Sequence, residues 1–347
     1  MDFPYNVYGL AVLSSFLVSL SALPLWRRYC VRIGLVDDPG HRKIHAESTP
    51  LAGGLTVASG LLLPILAGAF ALWLVRHAAE TPGSLLGRLG ALLPLGAASA
   101  DPLTYGLGRR FVELGGILLG AVGMLTLGCL DDKYELKPKT KFAGQLLIAL
   151  LVAATGVRIT LFVPSQVFSF LVTVFWILTV INAFNFMDNM NGLCAGLGAV
   201  GAAFFALFAA LAGQYLVALI AFLTLGALLG FLPHNYPRAK AFLGDSGSHL
   251  VGYLLAILAI LPHFHTPEQP RRWAVLMPLL VLAVPLLDLA WVVVLRWRMS
   301  RPFYVGDTNH LSHRLVRSGY RRETAVLLIW LLAAAAGSLA LLWKFLA

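Results

Sequence analysis

Apolar runs of about twenty residues recur along the chain, at 7–26, 55–75, 111–130, 142–162, 168–187, 192–212, 214–233, 247–264, 273–295 and 324–344. A helical run of that length matches the hydrocarbon thickness of a bilayer, and a helix satisfies its own backbone where water is absent. The pattern predicts an all-α polytopic membrane protein with about 10 transmembrane helices, built as one domain over 1–347. The stretch 83–100 is apolar too, but Arg88, Pro94 and scattered glycines weaken it. It reads as an interfacial helix within a long loop; if it spans, the count becomes 11. Gly196, Gly198, Gly201, Gly226 and Gly230 lie inside apolar runs, where small residues let helices approach closely in lipid.

What separates the runs is unevenly distributed. With ten spans, the segments 27–54, 131–141, 188–191, 234–246 and 296–323 share one face. They hold 18 of the 26 Lys and Arg residues, ten of the sixteen acids and five of the nine histidines. The positive-inside rule places these loops in the cytoplasm and both termini outside, in a cell's inner (cytoplasmic) membrane. An eleventh span would carry the first loop to the opposite side. The N-terminal Met1-Asp2-Phe3-Pro4 has no basic n-region, and Arg27 and Arg28 follow its apolar run, so it reads as a first span.

Composition agrees. Hydrophobic residues make up 59% of the chain and charged residues 12%, about half the charge of a soluble domain. The net charge of +10, distributed as it is, argues for topology and for anionic lipids or substrates rather than nucleic acid. Cys30, Cys129 and Cys194 lie far apart with no CxxC, which indicates neither a disulfide framework nor a zinc knuckle.

Chemistry gathers where the runs stop. One run ends on Cys129-Leu130-Asp131-Asp132-Lys133-Tyr134. Adjacent carboxylates repel and need solvation, a cation or a basic partner, so at a membrane helix end the pair reads as a cation or phosphate site, against a merely solvated helix end. Lys133, Lys137, Lys139 and Lys141 follow; Lys141 is the best placed of them for a phosphate, and the others suit lipid head groups. The first loop carries Asp37-Asp38-Pro39-Gly40-His41-Arg42-Lys43-Ile44-His45 and then Gly53-Gly54, which suits a structured loop that meets phosphate or a generic basic loop.

Asn182 through Gly192 interrupts about thirty apolar residues with four asparagines and an aspartate. A tight turn alone would not need Asn185 and Asp188 on one helical face. Gly244-Asp245-Ser246-Gly247-Ser248 opens a helix, offering backbone N–H groups to anionic oxygens and Asp245 to a divalent cation, with a Ser246 N-cap as the plainer alternative. Asp288, two turns before Arg296, is either functional or paired with another helix. His310 and His313 share a helical face and suit phosphate contact or proton movement better than zinc.

Taken together, Arg42-Lys43-Ile44-His45 with Gly53-Gly54, Leu130-Asp131-Asp132 through Lys141, Asn182 through Gly192, Phe242 through Ser248, and Asp307 through Leu315 resemble the polyprenyl-phosphate N-acetylhexosamine-1-phosphate transferase family. Its superfamily includes phospho-N-acetylmuramoyl-pentapeptide transferase. The resemblance implies transfer of a sugar-1-phosphate, foremost N-acetylglucosamine-1-phosphate, from a UDP-sugar to undecaprenyl phosphate with release of UMP. That reaction would open cell-envelope polysaccharide synthesis. It implies a cleft of cytoplasmic loops, Mg²⁺ (with Mn²⁺ as a substitute), a lipid phosphate taken from the bilayer, and a homodimer.

By motif position, Asp131, Asp132, Asp188, His310 and His313 would be catalytic. Lys43, His45, Lys141, Asn185, Asn191, Asn235 and Phe242 would bind substrate, and Asp245 with Asp131 would hold the metal. Two positions depart from the family's habit. Ser312 stands where a paired histidine is frequent, and Asn191 where the muramoyl-pentapeptide branch tends to carry aspartate. The second, with the Arg-Lys-x-His loop, favours a simple UDP-N-acetylhexosamine. A secondary transporter is the competing class. It predicts paired broken helices with polar groups near mid-bilayer and inverted symmetry, whereas only Asp288 lies deep in a run and no such symmetry is visible.

Overall fold

The computed structural model describes residues 3–38, 48–80, 84–85, 88, 104–262, 264, 272–302 and 307–346. They form an all-α membrane protein. Helices α1 (Tyr5–Ile33), α2 (Gly53–Glu80), α3 (Phe111–Tyr134), α4 (Pro138–Ala154), α5 (Gln166–Met187), α6 (Leu193–Leu211), α7 (Tyr215–Asn235) and α8 (Gly244–Ile260) follow in chain order. A 3₁₀ turn (Arg272–Leu276), α9 (Met277–Val281), α10 (Ala283–Arg298), α11 (Leu311–Arg317) and α12 (Arg322–Leu346) complete the chain. The predicted interfacial stretch 83–100 falls almost wholly outside the described residues.

Each of the ten apolar runs contains helix, but not every run is one long straight helix. Among the described residues, seven helices are long and apolar enough to cross a bilayer, and an eighth crossing arises if the 3₁₀–α9 segment and α10 count as one. Those two meet at 77°. Pro285 lies one turn past the break and cannot donate to the Val281 carbonyl, so the helix cannot run straight through. Two further helices are short, with 17 residues each, about 25 Å of length. Helix α4 starts at Pro138, well suited to a first helical position. It stops at Ala154, ahead of the predicted 162, because Gly156 at φ +107° turns the chain. Helix α8 can be short because protein surrounds it: it packs against α2, α3, α5 and α6, and Ser246 through Ala259 are all buried.

Small residues set the helix spacing as the sequence predicts. A Cβ on Gly230 would strike the Phe16 carbonyl of α1, and one on Gly128 of α3 would strike the Ser246 backbone of α8. Beyond Gly34, a short antiparallel ladder pairs β1 (Val36–Asp37) with β2 (Thr49–Pro50). The chain after β2 then docks on the segment before α8: Phe242 N–H donates to Pro50 O, and the Gly53 and Gly54 N–H groups donate to Phe242 O and Leu243 O.

Candidate active site

The N-terminus of α8 is the hub. No side chain of its own caps it, and Ser246 is not the cap. Asp132, at the end of α3, reaches across instead. Its two carboxylate oxygens accept from the Asp245 N–H at 2.7 Å and the Ser246 N–H at 3.0 Å. A carboxylate there meets both the orphan donors and the positive end of the helix dipole. The close approach at Gly128 makes this bond between helices feasible.

Asp131, its neighbour, points to a different partner. Its Oδ1 accepts from Leu136 N–H at 2.9 Å, and its Oδ2 lies 2.6 Å from Lys141 Nζ. The same ammonium donates to Asp245 Oδ1 at 2.9 Å and to Asn185 Oδ1 at 3.4 Å. Asn185 Nδ2 in turn donates to Asp245 Oδ1 and to Ser248 Oγ. The ends of four helices, α3, α4, α5 and α8, thus converge on one point. The Asp245 side chain keeps 33% of its surface exposed against 7% for Asp131, so Asp245 is the member an incoming ion meets.

Asp188 follows the last residue of α5 and closes the cluster. Burial, then the charges of Asp245 and Asp132, push its carboxyl well above the usual carboxylate range, while the Gly244 N–H pulls the other way. Asp131, Asp132, Asp188 and Asp245 with Lys141 and Asn185 line one cleft of about 1050 Å³. Asn191, Asn235, Phe242 and His313 line it too. Asn235 is turned to architecture: its Oδ1 accepts from Gly192 N–H at 2.7 Å and its Nδ2 donates to Ala241 O at 2.9 Å. Asn191 Nδ2 donates to Pro237 O at 3.3 Å. Lys43 and His45 lie outside the described residues.

One residue escaped the sequence reading. His249, one turn after Asp245 and fully buried, brings a ring nitrogen within 4.8 Å of carboxylate oxygens of Asp131 and Asp245, a group able to hold a metal ion. The signal was present in the Asp245–His249 spacing, which puts both on one helix face. The ring's proton is assigned by a relay. Asn182 Nδ2 donates to Leu178 O and to Gln145 Oε1, and Gln145 Nε2 faces His249 Nε2 at 3.3 Å. The amide therefore donates to Nε2, and the neutral ring carries its proton on Nδ1. Metal ligation by this ring requires that contact to yield.

The last loop is held by paired polar side chains. Asp288 of α10 accepts from His310 Nδ1 at 2.6 Å and from Leu311 N–H at 2.6 Å. Arg296 Nε donates to Asp307 Oδ2 at 2.7 Å and its guanidinium lies over the Phe186 ring. Burial works against ionisation of Asp307, yet the Arg296 guanidinium and the Asn309 N–H hold its carboxyl below the usual range. His310 is buried behind the cleft, and His313, on its wall, has its centroid 6.4 Å from that of His310. Burial, then His310, Arg317 and Arg322, pull His313 below the usual histidine range. Ser312, at the departure from the family's habit, donates to Asn189 Oδ1 at 2.6 Å and so ties this loop to the end of α5.

A polytopic α-helical membrane protein with one polar cleft of carboxylates, amides and basic groups is the class that fold and site define. The sequence model for "Glycosyl transferase family 4" matches residues 114–263, which contain Asp131, Asp132, Asp188 and Asp245. The decaprenyl-phosphate N-acetylglucosaminephosphotransferase of Mycolicibacterium smegmatis is 33% identical over 94% of this chain and 80% of its own length. The probable undecaprenyl-phosphate N-acetylglucosaminyl 1-phosphate transferase of Bacillus subtilis is 29% identical over 93% of this chain and 81% of its own. The undecaprenyl-phosphate alpha-N-acetylglucosaminyl 1-phosphate transferase of Escherichia coli K12 is 24% identical, over 96% and 83%. This chain belongs to glycosyl transferase family 4.

Proposed function

We propose that this protein transfers N-acetylglucosamine-1-phosphate from UDP-N-acetylglucosamine to a polyprenyl phosphate such as undecaprenyl phosphate, releasing UMP. It acts as one integral domain of the cytoplasmic membrane, with its cleft on the cytoplasmic side. The observation that carries the reading is the convergence of Asp131, Lys141, Asn185 and Asp245 from the ends of four helices. The names of the three relatives support the substrate class.

The chemistry needs charge control. Donor diphosphate and acceptor phosphate are both anions, and Asp131, Asp132, Asp188 and Asp245 add to the repulsion. A divalent cation, Mg²⁺ as the ordinary choice, fits carboxylate oxygens, and Asp245 with Asp131 would hold it, His249 standing beside them. When bound it supplies charge neutralisation at a phosphoryl oxygen. The protein supplies the positioning on which phosphoryl transfer depends. Lys141 offers an ammonium to phosphate. Asn185 orients Asp245. Phe242 and Asn191, on the cleft wall, suit the nucleoside. His313 carries a donor-capable ring to the phosphate region.

In the reaction, an oxygen of the lipid phosphate attacks the sugar-linked phosphorus. A new P–O bond forms there, and the bond to the bridging oxygen breaks, with the electron pair leaving on UMP. Purified protein in detergent, with undecaprenyl phosphate, Mg²⁺ and a panel of UDP-sugars, tests this through UMP release. Release that requires both lipid phosphate and Mg²⁺ is expected, with UDP-N-acetylglucosamine the best donor. Preference for UDP-N-acetylmuramoyl-pentapeptide would move the protein to the other branch. No release from any donor by folded protein would return the transporter reading to the front.

A further inference from the structure

Lys141 sits where the metal ligands meet. Its Nζ lies 2.6 Å from Asp131 Oδ2 and 2.9 Å from Asp245 Oδ1, the two carboxylates best placed to share a dication. An ion bonded to both would lie about 2.0–2.6 Å from their oxygens, a few ångströms at most from that ammonium. Like charges so close, in a half-buried site, exclude one another.

Lys141 is also the side chain able to leave. It stands in the first turn of α4, after Lys137, Pro138 and Lys139, on a flexible four-carbon stem. The groups that it bridges are fixed without it: Asp131 by the Leu136 N–H, and Asp245 by the Asn185 amide and the rigid start of α8.

We propose that Lys141 is a place-holder: it competes with the divalent cation for Asp131 and Asp245, and loading of the cation releases its ammonium to the substrate diphosphate. The proposal rests on the transferase reading for the identity of the anion, but not for the competition itself. The exchange sets an order. A dication raises the positive charge of the cleft and frees a cationic arm in the same event, so the anionic donor binds after the metal.

The prediction has opposite signs for two ligands, which a merely structural lysine would not produce. In Lys141→Met, Mn²⁺ binding followed by electron paramagnetic resonance should tighten by roughly tenfold, while binding of UDP in the presence of Mn²⁺ should weaken by about tenfold or more. Mn²⁺ binding that is equal or weaker in the variant overturns the proposal.

Wild-type protein gives a second test that needs no substitution. Lysine acylation by an N-hydroxysuccinimide ester, read by peptide mass spectrometry with Lys137 and Lys139 as internal controls, should rise at Lys141 on adding Mn²⁺ and fall again on adding UDP. Unchanged or reduced labelling with Mn²⁺ alone overturns the exchange. UMP release measured in parallel separates the two claims: turnover without the labelling change leaves the transferase and removes the place-holder. Absence of turnover from every UDP-sugar removes the transferase, whatever the labelling does.

Discussion

The cleft cluster and the last-loop clamp use the same residue types to opposite ends. In the clamp each acid has its own counterpart: Asp307 has Arg296, and Asp288 has His310 and the Leu311 N–H. In the cluster, Asp131 and Asp245 share one ammonium, Asp132 accepts from the Asp245 and Ser246 N–H groups at the start of α8, and the charges that raise Asp188 are those of Asp245 and Asp132. Matched, buried charge fixes geometry. Charge left in excess at the wall of a cleft is costly unless an ion or substrate completes it, so imbalance marks chemistry. Depth in the apolar run, which made Asp288 a suspect, distinguishes the two regions less well than this balance.

The comparison breaks if variants in the two regions behave alike. The largest effect expected is on turnover in Asp245→Asn: UMP release should fall by about a thousandfold or more, several kcal/mol of transition-state stabilisation, with an unchanged thermal melt. Full activity would remove Asp245 from the metal site. Arg296→Met should do the reverse in kind. It leaves the half-buried Asp307 without its guanidinium, at a cost of about 1–3 kcal/mol, visible as a lowered melting temperature in detergent, with the residual folded fraction still active.

Asp132→Asn is the intermediate case. An amide can present one oxygen to the α8 N-terminus but not two, nor a charge to its dipole, so a loss of about 1 kcal/mol is expected in the melt, with some loss of turnover as Asp245 loosens. A melt change alone, with turnover untouched, would assign Asp132 to architecture. Acid provides a subtler probe of the clamp. Asp307 is held below the ordinary carboxylate range, so its contribution to stability is complete above about pH 4 and fades as pH falls through its folded-state value. Wild type should therefore lose more melting temperature than Asp307→Asn between pH 5 and 3. Equal slopes would mean that the pair with Arg296 contributes no pH-dependent stability. The smallest effect belongs to Ser312→Ala: about 1 kcal/mol for one buried hydrogen bond, with activity nearly unchanged. A large loss of turnover there would make the bridge to Asn189 part of the working site.

Much of the site was legible because motif order and residue chemistry survive in one dimension. Asp131, Asp132, Lys141, Asn185, Asp188, Asn191, Phe242, Asp245 and His313 all reach one cleft. What could not be read was how each carboxylate is spent. Asp131 and Asp132 are adjacent, yet on a helix adjacent side chains point about 100° apart, so one meets Lys141 and the other caps α8. Asn235 carries the same amide as Asn185 but gives both ends to backbone. His249 was hidden among apolar neighbours, in a run that hydropathy assigns wholly to the membrane.

By itself the sequence determined that the chain is a helical membrane protein and that its polar groups gather at helix ends, because apolar run length and the cost of unpaired backbone in lipid allow little else. It did not determine how many helices cross straight, since a helix surrounded by protein, such as α8, no longer has to match the bilayer. Only the tertiary structure decided which acids are matched and which are left for a cation. Charge balance is a property of neighbours in space, and the partners of Asp131, Asp132 and Asp245 lie up to 114 positions away in the chain.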